Sequence, residues 1–305
     1  MQLLTPAALA TALYAAACLT AAGAARAADA PGALPSLGPA TVLLVVAPHP
    51  DDETLCCAGV IQRVLEAGGR ASIVWVTSGD GSELGSLIIE RSLFVNPRKM
   101  RAYAERRMRE ARAATALLGV GDGGRLFLGY PDGGLRALLG ENRTRPYRSG
   151  FTDSAAVPYP GALFPGHPYT GESLARDFAA VLERTQPTLI LAPSPLDSHP
   201  DHRAAGLLTI AASNSGAASV RYWIVHGGEG WPSPRGLVPG IPLTAAPLAA
   251  RLEPVAFALS VREEDRKLAA LKAYETQLRV TEPFLLAFVR TTELFSLEPT
   301  APPAP

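Results

Sequence analysis

Two short runs hold most of the chemistry this sequence can offer. His49-Pro50-Asp51-Asp52-Glu53 puts four titratable groups into five residues, and Asp197-Ser198-His199-Pro200-Asp201-His202 puts four into six. Burying so many ionisable groups is costly unless they pair with one another or share a cation. Zinc accepts imidazole nitrogen and carboxylate oxygen, and a catalytic zinc site uses three protein ligands and keeps a position for water. Three of the chain's five histidines fall in the two runs. The plainer explanation is local: Asp is a favoured helix N-cap and Pro suits a first helical turn. That suffices for one run but not for two that follow strands in the same way.

The flanking elements place both runs. Thr41 to Ala47 is a continuous apolar stretch with β-branched residues, the pattern of a strand buried on both faces. Glu53 to Ala67 sets Leu55, Gly59, Ile61, Val64 and Leu65 at mostly helical spacings, Gly68-Gly69 ends it, and Ser72 to Thr77 is a second strand. This βαβ unit is right-handed by default. Asn96-Pro97 starts an amphipathic helix over 98–118, and residues 125–128 form a short strand. The Gly-, Pro- and Tyr-rich stretch 131–170 reads as an irregular pocket rim. A helix over 172–184 is broken by Gln186-Pro187, and 188–192 is another buried strand. Further strands are expected at 219–226 and 254–259, and Ser260-Val261-Arg262-Glu263 is a capping box opening a helix to about Leu278. The alternation gives an α/β fold, a Rossmann-like mostly parallel sheet with helices on both faces, which binds ligands beyond the carboxyl ends of its strands. Both His/Asp runs lie at such ends. No Gly-x-Gly-x-x-Gly or Walker loop follows the first strand, which argues against a nucleotide site there.

Ala47-Pro48-His49-Pro50-Asp51-Asp52-Glu53 together with His199-Pro200-Asp201-His202 resembles the PIG-L (LmbE-like) family of zinc N-deacetylases. The resemblance extends to Arg107-x-x-Glu110, Leu128-Gly129-Tyr130-Pro131-Asp132-Gly133 and Lys267-x-x-Ala270 with Tyr274, covering 41–295. It implies a PIG-L/LmbE-like deacetylase fold and one Zn2+ per chain, held by His49, Asp52 and His202, with Asp51 as general base on the attacking water. It also implies that His199 stabilises the oxyanion or helps protonate the departing amine, with Asp201 holding its ring, and that Arg107 and Asp132 contact sugar hydroxyls. Arg107 also reads as one member of a salt-bridged helix face, and Asp132 before Gly133 as turn chemistry. Some sugar deacetylases of the family place a Tyr where this chain has Asp197, which reads either as a group behind the metal ligands or as a turn residue, the turn being slightly favoured. His226 ends a strand and reads equally as lining the same pocket or as a satisfied core or loop histidine; His167 reads as a surface residue, and Trp231 as a packing anchor rather than a ring that stacks on a sugar. Cys56 and Cys57 read as small core residues, because neighbours on a helix point about 100° apart.

The organisation expected is a signal peptide over 1–27, a linker over 28–40, the deacetylase domain over 41–296 and a disordered Pro-rich tail over 297–305. An uncleaved N-terminal membrane anchor is the alternative to export to the periplasm or beyond, and no later segment is long and apolar enough to span a bilayer. Lys plus Arg equals Asp plus Glu at 28 each, so no global field favours nucleic acid or an anionic membrane surface. Nothing in the sequence sets an oligomeric state. The expected activity is hydrolysis of an N-acetyl group on an amino sugar or glycoconjugate of the N-acetylglucosamine type. Its rivals are hydrolysis of another sugar-linked or small-molecule amide, and noncatalytic glycan binding by a metal-stabilised protein. Asp51 speaks against the last, because a structural zinc is closed by four ligands and needs no adjacent base.

Overall fold

The computed structural model describes residues 32–82, 85, 87, 96–213 and 218–297. The expected signal peptide and the tail beyond residue 297 lie outside the described residues. Among the described residues, no helix is long and apolar enough to cross a membrane.

Five parallel strands form the central sheet: β1 (Val42–Ala47), β2 (Arg70–Thr77), β3 (Arg125–Tyr130), β4 (Leu189–Pro193) and β5 (Ser219–Trp223), in the order β3-β2-β1-β4-β5. β1 is central because its apolar side chains are covered on both faces, and Leu43 to Ala47 are fully buried. It aligns Leu43 with Ala71 of β2 on one side and with Leu189 of β4 on the other. The chain winds outward through β2 and β3, then crosses back to β4 and winds the other way. The β1/β4 boundary is therefore the topological switch point, where such sheets open a crevice at their carboxyl edge.

Helices α1 (Asp52–Glu66), α2 (Pro97–Leu117), α3 (Leu135–Leu139), α4 (Gly171–Thr185) and α5 (Pro200–Ser213) cover the sheet. α1 and α2 pack with a C-terminal helix, α6 (Val261–Lys272), while α3, α4 and α5 pack with one another. The α6 capping box forms as expected, with Ser260 Oγ accepting from Glu263 N–H and the Glu263 carboxylate accepting from Ser260 N–H at 2.7 Å. The helix expected to reach Leu278 stops at Lys272, and a separate α7 (Glu275–Leu286) begins after Tyr274. Tyr274 departs from helical geometry at φ −84°, ψ 62°, and its buried hydroxyl donates to Glu53 at the start of α1. The strand expected at 254–259 is β6 (Val255–Ala258). It joins no parallel strand but pairs antiparallel with β7 (Thr292–Phe295) as a separate two-stranded sheet.

The described part of the stretch before β1 is packed: Leu34 and Leu37 lie against the core, and Ala33 C=O accepts from Arg221 Nε at 2.8 Å. Cys56 and Cys57 are both buried, but not as two thiols. They form a disulfide across a Cα separation of 3.8 Å, so their side chains turn toward each other despite their different helical directions. A bond between neighbours closes no long loop and adds little to chain restraint.

Candidate metal centre and active site

Both His/Asp runs sit at the switch point. Pro48 to Asp51 lead from β1 into α1, and Asp197 to His199 lead from the turn after β4 into α5. Asp51 stands at the N-cap of α1, yet its side chain makes no capping hydrogen bond. Its backbone has φ 125°, a conformation that non-glycine residues avoid. Strain of this kind costs about 1–3 kcal/mol and persists where the surroundings enforce it, most often at functional sites.

The donors converge. Asp52 Oδ2 lies 3.3 Å from His49 Nδ1 and 3.2 Å from His202 Nε2. Those are the separations of donors sharing one tetrahedral ion at about 2.0–2.1 Å. His202 Nε2 is buried and makes no hydrogen bond, although Asp52 Oδ2 lies within ion-pair distance of it. A buried nitrogen facing a carboxylate in this way calls for a positive charge between them. Against its burial, Asp52 and Asp197 push the His202 imidazole up to about 9. Asp52 is likewise buried, but His202 and His49 hold it well below the usual carboxylate range. The residues therefore fit a divalent cation.

The orienting groups differ from the sequence reading. Asp197 is not a mere turn residue. It is fully buried, and its Oδ2 accepts from His202 Nδ1 at 3.1 Å and from the N–H groups of Val225 and His226 at 2.9 and 3.0 Å. Its Oδ1 accepts from His199 N–H at 2.9 Å. Asp197 thus presents His202 Nε2 to the centre and ties the β4 turn to the β5 turn, the orienting role common behind metal-bound histidines. Asp201 does not hold the His199 ring, as expected, but that of His49. Its carboxylate accepts from Gly133 and Leu135 N–H at 2.7 and 3.2 Å and lies 3.3 Å from His49 Nε2. Asp132 Oδ1 is also 3.3 Å from that nitrogen. His199 Nδ1 instead accepts from Asp201 backbone N–H at 3.2 Å, which leaves Nε2 as the protonated nitrogen.

Arg107 is buried rather than solvated on a helix face. Its guanidinium donates to Pro50 C=O at 2.7 Å and Gly79 C=O at 3.0 Å, and pairs with Asp51 Oδ2 at 3.4 Å. Gly79, at φ 68°, must be glycine because a Cβ there would collide with that guanidinium. Burial pushes the Asp51 carboxyl up to about 8 against the pull of Arg107, with Asp52 and Glu53 adding to the rise. Glu53 points away from the centre and accepts from Trp75 Nε1 and the Thr54 hydroxyl, at 2.9 and 2.5 Å.

Asp80, which follows β2, escaped notice in the sequence. It accepts from Asp132 N–H at 2.9 Å and Tyr159 O–H at 2.6 Å, and burial with Asp132 nearby pushes it up to about 7. Its position in Gly79-Asp80-Gly81, a turn at the carboxyl edge, was the available signal. His226 joins the cluster, its ring 4.8 Å from His202 and 5.1 Å from His199. Burial lowers His199 to about 3 and His226 to about 4, with neighbouring imidazoles adding to the effect. His167 lies elsewhere, paired with Asp177 at 2.9 Å, and Trp231 packs as an anchor with Nε1 donating to Thr244 C=O. An open cavity of 240 Å³ lies over the cluster, with Gly81, Ser82, Arg107 and Asp132 among its lining.

Fold and donor set define an α/β protein that gathers cation donors and a strained, buried carboxylate at the switch point of a parallel sheet. The GlcNAc-PI de-N-acetylase (PIG-L) family model matches residues 44–213, more than half of the chain. The chain belongs to this family. A 1D-myo-inositol 2-acetamido-2-deoxy-alpha-D-glucopyranoside deacetylase of Tsukamurella paurometabola is 28% identical over 276 residues, 82% of this chain and 86% of that one. The protein of the same name from Mycobacteroides abscessus is 30% identical over 257 residues, 79% and 82% of the two chains. Among solved structures, N,N'-diacetylchitobiose deacetylase of Pyrococcus horikoshii superposes with a TM-score of 0.52 at 19% identity, covering 84% of this chain and 83% of that one. The 4-carboxy-2-hydroxymuconate hydratase GalB of Pseudomonas putida superposes equally well, with a TM-score of 0.54 at 17% identity over 87% and 98%. A hydratase beside a deacetylase means that the backbone alone does not select the reaction, and the site must.

Proposed function

We propose that the chain is a zinc-dependent de-N-acetylase of an amino sugar or glycoconjugate of the N-acetylglucosamine type, with one zinc held by His49, Asp52 and His202. The observation that carries this reading is the buried His202 Nε2, without a hydrogen bond, beside the Asp52 oxygen that also meets His49 Nδ1, next to a carboxylate that caps no helix. The acetamido sugars named for its relatives support the substrate class.

When bound, zinc lowers the pKa of water toward 7 and polarises a carbonyl oxygen. Asp51, fixed by Arg107 and kept ionised by the positive charge of a bound cation, takes the proton as water adds to the amide carbon, and later delivers it to the departing nitrogen. The C–N bond then breaks to give a carboxylic acid and a free amine. Neutral His199, with Nε2–H available, hydrogen-bonds the oxygen on which charge develops, as neutral imidazole electrophiles do. Asp132, beside His49 and open to the cavity, accepts from a substrate hydroxyl. His226 lines the same side as His199.

The test is acetate release from N-acetylglucosamine derivatives by zinc-loaded protein, chelated protein and Asp51→Asn. Turnover by loaded protein alone is expected, and turnover that survives both chelation and Asp51→Asn would overturn the mechanism. We also propose export through the apolar stretch ending near Ala27. N-terminal sequencing of the extracytoplasmic protein should begin after that residue, and an intact Met1 in the cytoplasm would refute it.

A further inference from the structure

The cavity over the cluster has a mixed lining. Its apolar members are Leu55 of α1, Val225 after β5, and Phe284 and Leu285 of α7, the helix that also brings Gln277 and Thr281 to it. Leu55, Val225 and Leu285 are the deepest of these, at 2%, 0% and 2% exposure. An N-acylated sugar presents two matching arms to a centre that holds its carbonyl, hydroxyls on the nitrogen side and hydrocarbon on the carbon side. Hydroxyls need partners, while hydrocarbon gains by leaving water. We propose that Leu55, Val225, Phe284 and Leu285 form an acyl-binding subsite that takes chains longer than acetyl. This rests on the amide-hydrolysing reading above.

Three features favour more than two carbons. The Phe284 ring is held between His226, stacked at 5.5 Å and 13°, and the Arg235 guanidinium 4.9 Å from its centroid. The wall is thus braced against the histidine cluster. α7 leaves helical geometry at Thr281 and carries Pro283, so the turn bearing Phe284 and Leu285 is set by a kink rather than by the first half of the helix. Leu55 also lines a second apolar cavity of about 20 Å³, bounded by Cys56, Trp223, Trp231 and Phe288. It is backed by empty space and can give way to a longer chain at less cost than a side chain in a filled core.

The 240 Å³ cavity is open and is shared by sugar and acyl group, so the subsite is assigned to short acyl chains. Val225, Phe284 and Leu285 all lie outside the 44–213 region matched by the family model, so this chain's C-terminal part would set the selectivity.

The experiment compares hydrolysis of N-acetyl-, N-propanoyl- and N-butanoylglucosamine by the zinc-loaded full chain. kcat/KM should rise about three- to fourfold per added methylene, the gain expected for a buried CH2. Leu285→Trp should lower the butanoyl-to-acetyl ratio at least tenfold. Inhibition of the unaltered protein by acetate, propanoate and butanoate should tighten in the same order, whatever the variant's folding. A kcat/KM that falls from acetyl to butanoyl, or inhibition that does not vary with chain length, overturns the subsite and leaves deacetylation standing. No hydrolysis of any of the three overturns the proposed function, and the subsite with it.

Discussion

Two buried polar clusters sit about two turns apart on α1, and they are satisfied in opposite ways. At the middle of the helix, Glu293 accepts from Gly59 and Val60 N–H at 2.9 and 3.2 Å and from Lys267 Nζ at 2.9 Å, while Lys267 also donates to Leu55 C=O at 2.8 Å. Both carboxylate oxygens and the ammonium find partners within the protein. At the N-terminal end, one imidazole nitrogen lacks a hydrogen bond and one carboxylate oxygen is crowded by two imidazoles. The first network is closed and ties α6 and β7 to α1. The second is complete only with something added. Burial and charge do not separate these two clusters, but the unsatisfied imidazole nitrogen beside a shared carboxylate does.

Substitutions can test that contrast. Asp51→Asn should cut kcat by about 10²–10⁴, the usual contribution of a positioned base, without lowering the thermal unfolding midpoint. A parallel loss of stability would mean that Asp51 belongs to the scaffold. Glu293→Leu should do the reverse, costing about 3–5 kcal/mol in urea unfolding by leaving Lys267 buried and unpaired. The double change with Lys267→Met should recover much of that. A neutral Glu293→Leu would break the comparison. Asp197→Asn should weaken zinc affinity about 10–100-fold, read by competition with a chromophoric chelator, since it disturbs the group orienting His202. Smallest, Ser260→Ala should cost about 1 kcal/mol through loss of the α6 cap and leave zinc affinity alone.

Much of the scaffold could be read directly because its signals are local. The apolar run of β1, the Gly68-Gly69 stop and the Ser260 to Glu263 box each state their structure within a few residues. The two motifs were legible for the same reason, and they do meet at one edge. Partnerships across the fold were not. Asp197 makes the same kind of acceptor whether it closes a turn or orients His202, and only the return of β5 brings Val225 and His226 N–H to it. Asp201 was matched with His199, its neighbour in sequence, although its ring partner is His49, 152 residues away. β7 was missed because Glu293, a charged residue in a four-residue strand, looks like surface until Lys267 is placed beside it. α7 gave no sign of facing a pocket, since helical periodicity reveals an apolar stripe but not what it lines.

The pairing of β1 with β4 has a further consequence, for the order of assembly. Val42 N–H donates to Thr188 Oγ1 across 146 positions, and the donors proposed for zinc follow the far ends of the same two strands. Closing so long a loop is entropically expensive and slow, and contacts of this separation tend to form late. Zinc capture should therefore follow closure of the sheet rather than nucleate it, and once bound the ion would act as a latch across the longest crossover. Unfolding would then have to release the ion before that crossover could open, so loading should slow unfolding far more than it speeds refolding.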